Sequence, residues 1–232
     1  MIVRMFRTGG FPPPANEKVV TVDDGRLAIW RSTEVQAAGS FVGQLSSAES
    51  DAIQALARLC VEAGDLNQPP APDAAIDTIM LDGARAEVGH LDHPDGPWGE
   101  LLDALRPMLE RTDQPYAAIG LEVSQAGDRA TLRHLGEAVL RVDLSSLRVE
   151  ARRTATTGVA AGSWEGEPGG PGGTADAGPG WRYEVPFDHG LASEPGSVTA
   201  RVSLVVYERD HPVDVALVAT STRQPRVAGP PE

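Results

Sequence analysis

Lysine is almost missing from this 232-residue chain: Lys18 is the only one, so arginine supplies nearly all of the 20 basic residues. Positive charge as a whole is short, with 33 Asp+Glu giving a net charge of −13. Affinity for nucleic acid or an anionic bilayer comes from Lys and Arg displacing counterions, so neither is an expected partner. Cysteine is single, Cys60, which excludes an internal disulfide and gives no sign of an oxidising compartment. Aromatics make up 5% of the residues, so a core must rest on Val, Leu, Ile and Ala. No window approaches the roughly 20 apolar residues that span a bilayer, and Met1–Arg7 lacks the apolar stretch of a signal peptide. The chain is therefore expected to be cytoplasmic.

Catalytic signatures are missing as well. There is no G-x-x-x-x-G-K-[ST] and no G-x-G-x-x-G following a strand, which removes the common phosphate cradles. No G-x-S-x-G elbow and no H-E-x-x-H occurs. Gly169–Gly173 is glycine-rich, but it is interrupted by proline and reads as linker.

What remains is organised in two halves, and the expected class is α+β: an antiparallel sheet with two helices, followed by a β-rich, sandwich-like half. Residues 2–7 and 18–31 have strand composition, the second run split by Asp24-Gly25. Asp-Gly favours a hairpin because its tight turn needs positive φ. The device recurs at Asp82-Gly83, between 76–81 and 84–91. A first helix opens on Ser46-Ser47-Ala48-Glu49, a capping box, and sets Ile53, Leu56, Cys60 and Ala63 on one face before Gly64 stops it. A second opens at Gly96-Pro97 and carries Trp98, Leu101, Leu102, Leu105, Met108 and Leu109 at helical spacing. Pro107 should kink or end it. The expected boundary follows: an α+β module over 1–113 and a β-rich domain over 114–232. In the latter, strands are expected at 117–124, 130–135, 138–144, 147–153, 181–187, 197–208 and 213–221. Gly and Pro crowd Ser163–Gly180, which reads as a flexible loop.

Candidate site residues each have a plainer reading. Cys60 sits on the apolar helix face, where a desolvated thiol is a core residue and not a nucleophile. His90, Asp92, His93 and Asp95 are the densest set of potential metal ligands, yet their spacing matches no defined site. No metal and no cofactor are expected. His134, His189 and His211 are scattered, and the acidic pairs Asp23-Asp24, Glu165/Glu167 and Asp210/Asp214 read as solvated turns. More distinctive is Thr8-Gly9-Gly10-Phe11-Pro12-Pro13-Pro14. Two glycines end a strand, an aromatic follows, and three prolines hold an extended arm whose stiffness lowers the entropy lost on binding. The plain alternative is a rigid connection with Phe11 in the core.

The opening strand running into Arg7-Thr8-Gly9-Gly10-Phe11 resembles the start of the emfourin family of protealysin inhibitors, with their R-[ST]-G-G-F signature. Similar in order are a second strand with an acidic end (Val19–Asp24), an L-x-x-A-E phrase opening a helix (Leu45–Glu49), and a G-P-W-x-x-L-L helix (Gly96–Leu102). The likeness covers roughly residues 1–112. It implies a protein that blocks a thermolysin-like zinc metallopeptidase by placing a loop in the active cleft, and it carries over Gly9, Gly10 and Phe11 as motif positions; with the stiff Pro12, Pro13 and Pro14 that follow, they form the expected partner-binding segment. Against the family pattern, Pro12-Pro13-Pro14 replaces small or aliphatic residues, and 25–44, with Trp30 and Phe41, reads as an added hairpin arm. Three functions stay open: a non-enzymatic inhibitor or regulator of such a peptidase, a structural scaffolding protein, and an enzyme with a cryptic site around His90, His93 and Asp95.

Overall fold

The computed structural model describes residues 1–8, 17–21, 25–32, 36–68, 74–111, 114–155, 160–166, 173–186, 196–208 and 210–223. The chain divides into two compact units, Met1–Thr33 with Ala38–Ala118, and Glu34–Ala37 with Ile119–Glu232. The fold is α+β with a β-rich second half, as expected.

In the first unit, β1 (Val3–Thr8) lies between β2 (Glu17–Thr21) and β6 (Ile76–Leu81). Beyond β2 come β3 (Arg26–Arg31) and β4 (Ala37–Gln44); beyond β6 come β7 (Ala84–Gly89) and the two-residue β5 (Leu66–Asn67). All pairs are antiparallel except β5 with β7. Strand β8 (Pro115–Val123) starts beside β4, where the Val42 N–H donates to the Gln114 carbonyl at 2.8 Å. The division between the units falls inside β8, after Ala118, and not in the turn before it. Asp82-Gly83 forms the expected two-residue turn: Leu81 pairs with Ala84, and Gly83 takes a φ of 101°. Strands β2 and β3 also pair as a hairpin, Thr21 opposite Leu27, although residues 22–24 of their turn lie outside the described residues.

Helix α1 (Ser47–Ala63) carries the full capping box. The Ser46 hydroxyl accepts from the Glu49 N–H at 3.2 Å, and the Ser46 N–H donates to the Glu49 carboxylate at 2.7 Å. These bonds hold the Glu49 carboxyl below its usual range, the backbone bond first among the causes. Ile53, Ala57 and Cys60 are buried; Leu56 is half-buried and Ala63 exposed, so the core stripe is narrower than the sequence spacing implies. Helix α2 (Pro97–Leu105) buries Trp98, Leu101, Leu102 and Leu105. Pro107 has the expected effect, since the chain tightens after Leu105 into a 3-10 helix, Arg106–Glu110, which still buries Met108 and Leu109. The Trp98 indole N–H donates to the Gly64 carbonyl at 2.9 Å and so ties α2 to the end of α1.

One expectation fails here. Residues 25–44 are no added arm: β3 and β4 are inner strands of the sheet, and Leu27, Ile29, Trp30, Ala38 and Phe41 are core residues. Burying five such side chains on strands with partners on both sides stabilises far more than an exposed hairpin does.

In the second unit, β9 (Arg129–Gly136) lies between β8 and β13 (Arg182–Pro186). A five-stranded sheet runs β11 (Ala160–Gly166), β10 (Leu140–Ala155), β14 (Gly196–Glu208), β15 (His211–Arg223), with β12 (Thr174–Ala177) also beside β10. Burial alternates as the period of two requires: Val149 and Ala151, then Val198, Ala200, Val202, Leu204 and Val206, then Val215, Leu217 and Ala219. Two expected strands, 138–144 and 147–153, are one strand, β10, whose register with β14 shifts between Asp143 and Arg148. Local hydrogen bonds hold that irregularity. Ser145 N–H donates to the Asp143 carboxylate at 2.9 Å, Ser146 Oγ to the Asp143 carbonyl at 2.7 Å, and Val205 N–H to Ser146 Oγ at 2.7 Å. The expected loop Ser163–Gly180 is corrected at both ends. Ser163–Gly166 completes β11 and Thr174–Ala177 is β12, because β10 offers a pairing edge at each end, Val149–Thr154 to β11 and Leu140–Asp143 to β12. Residues 167–172 lie outside the described residues.

Candidate functional site

The suspected binding segment, Gly9, Gly10, Phe11, Pro12, Pro13 and Pro14, lies outside the described residues, but its base does not. Strands β1 and β2 stay paired up to Arg7 opposite Glu17, so the segment leaves one strand and returns to its antiparallel neighbour. On the other side Arg7 lies directly opposite Asp77 of β6.

Asp77 has no exposure to solvent. Arg7 grips it through two bonds, Nε to Oδ1 at 2.7 Å and Nη2 to Oδ2 at 3.1 Å. A second guanidinium arrives from the turn after α2: Arg106 Nε donates to Asp77 Oδ2 at 2.9 Å. Arg106 then reaches the backbone at the end of β7 and the loop between β7 and α2, with Nη2 donating to the Asp92 carbonyl at 2.9 Å and the Gly89 carbonyl at 3.3 Å. Three pieces of chain thus meet at one carboxylate, the end of β1, the start of β6 and the 3-10 helix, and Arg106 ties in the end of β7 as a fourth. Three charge-assisted bonds on two oxygens satisfy a charge that would otherwise be costly to bury.

This network, which sequence reasoning missed, explains the fate of the suspected metal cluster. Arg106 holds the backbone at Asp92, and its Nη1 lies 3.4 Å from His93 Nδ1. His93 also lies 3.2 Å from Asp103 and is well exposed, so it serves as a surface polar contact beside a fixed cation. The His90 N–H donates to the Ala75 carbonyl at 2.8 Å. Among the described residues, no group of three or more His, Cys, Asp or Glu is placed to hold a metal ion. His134 is buried in β9 with Nε2 2.7 Å from the Ala138 carbonyl, and His211 is exposed at the start of β15. His189, Asp23, Asp24 and Glu167 lie outside the described residues, whereas Glu165, Asp210 and Asp214 are exposed.

Cys60 is wholly buried, and burial, with a smaller contribution from Glu100, pushes its thiol up to about 11. The folded thiol holds its proton where an unfolded one has lost it, so stability falls as pH rises from the ordinary thiol range through about 11. A rise of this size corresponds to at most roughly 3 kcal/mol. Cys60→Ala is expected to flatten the decline in stability between about pH 9 and 11, measured by urea unfolding; equal slopes for both proteins would contradict it. No helix among the described residues is long and apolar enough to cross a membrane. No protein-family model, no curated protein and no solved structure matches the chain.

Proposed function

We propose that the chain is a protein-binding module that inhibits or regulates a thermolysin-like zinc metallopeptidase, with Gly9–Pro14 as the segment that enters the cleft. The observation that carries this reading is the construction of the segment's base. Its two ends are held side by side by the β1–β2 ladder, and Arg7, the residue before Thr8-Gly9-Gly10, is locked onto buried Asp77. A loop fixed at both ends loses little further freedom on binding. Were one of its peptide bonds cut, the new ends would stay together, so hydrolysis would gain little of the entropy that usually drives it forward. The emfourin-like R-T-G-G-F phrase lies at this base. Nothing in the reading requires the chain itself to be an enzyme.

Phe11 is the one large apolar side chain in the segment and the natural anchor for an apolar specificity pocket. Phe11→Ala is expected to weaken inhibition of a thermolysin-like enzyme about 30-fold, the effect of a ~2 kcal/mol hot spot, with the melting temperature unchanged. An unchanged inhibition constant would remove Phe11 from the contact. A fall in melting temperature with no change in inhibition would make it a core residue.

A further inference from the structure

We infer that the edge of β15 left uncovered by the described residues is a self-association surface, at which a second copy of this chain pairs strand to strand. An unpaired strand edge exposes a row of backbone N–H and C=O groups, and proteins usually blunt it with short length, charge or proline. The other sheet edges follow that rule. Strand β5 has two residues; β12 has four, with Asp176; β13 has five, with Arg182 at its start, Glu184 at its middle and Pro186 at its close; β11 has seven, with Glu165 and a register break between the partners of Arg153 and Thr154. Strand β15 has thirteen residues, pairs only with β14 among the described residues, and keeps an unbroken register over its whole length. Pro212 and Asp214 stand near its start, but Val215–Ser221 holds no charge, proline or glycine.

The chemistry of this edge fits its own copy. A two-fold axis perpendicular to the sheet pairs β15 with itself antiparallel and keeps both buried faces on one side, so each residue meets a partner of the same facing. With the axis at Leu217, Val215 lies opposite Ala219 of the second copy and Ala216 opposite Val218. The buried layer of Val215, Leu217 and Ala219 then continues across the junction. Asp214 falls opposite the neutral Thr220, so no like charges meet despite the net charge of −13.

Sedimentation of the full chain at about 10–100 μM tests the inference. The expected mass is twice the 24.4 kDa of the chain. Ala216→Cys and Val218→Cys chains, both altered only at partly exposed positions, are expected to form a disulfide when mixed under mild oxidation. The buried Cys60 does not compete. A monomer throughout this range overturns the inference, including a monomer that takes up an extended strand of another protein. So does a dimer whose mixed cysteine chains fail to cross-link, since it forms elsewhere. Peptidase inhibition plays no part in either readout.

Discussion

Asp77→Ala is expected to destabilise the first unit by about 3–5 kcal/mol, the usual cost of removing one partner from a buried ion pair. The size follows from what is left behind. Arg7 and Arg106 are 16% and 14% exposed at their side chains, and without the carboxylate two guanidinium groups would lose the buried charge they share. Replacing the carboxylate by Asn keeps the shape and one acceptor, so Asp77→Asn should cost less than Asp77→Ala while still removing the charge that both cations share. Replacing Arg7, Asp77 and Arg106 together by apolar residues of similar length should recover part of the loss, because the pair's own net contribution is small once its desolvation is counted. Urea unfolding of the four proteins gives the comparison. A loss below about 1 kcal/mol for Asp77→Ala would mean that water reaches the cluster and that the base of the segment is not locked.

Gly99→Ala is the second large effect, and its sign runs against helix propensity. Gly99 lies in α2, where alanine is intrinsically better by about 1 kcal/mol. A Cβ at this position would overlap the backbone carbonyl of Pro94, and no side-chain rotation relieves a backbone clash. Either α2 shifts or the loop at Pro94 moves away, and that loop is the one whose Asp92 carbonyl Arg106 holds. Overpacking of this kind costs about 1–3 kcal/mol beyond the propensity gain. The expected outcome is a lowered urea midpoint; a raised midpoint would show that the loop yields freely and that propensity wins.

The difference between what is legible in the sequence and what is not is one of range. Asp82-Gly83, the Ser46 capping box and the stop at Pro107 are local devices in which a few adjacent residues settle the backbone, and each forms as its chemistry demands. Strand β10 reads as two because Leu144 to Leu147 breaks the alternation, and the serine hydrogen bonds that make it a bulge inside one strand give no periodic signal. Trp30 and Phe41 mislead because a comparison of lengths does not say whether an extra hairpin joins the sheet or projects from it. The Asp77 cluster lies further out of reach. Arg7 and Arg106 are 70 and 29 positions from it, and in the sequence Asp77 is one more carboxylate in a strongly acidic chain. A charged residue at a core-facing position of β6, between Ala75 and Ile79, is the one available clue.

Whether a segment clamped between β1 and β2 blocks a thermolysin-like peptidase is measured directly by the residual activity of such an enzyme titrated with the purified full chain. The expected result is a loss of activity that saturates near one chain per enzyme, with the chain still intact after prolonged incubation. Activity unchanged at a large molar excess, or the chain cut within residues 9–16 at the rate of an ordinary substrate, would contradict it.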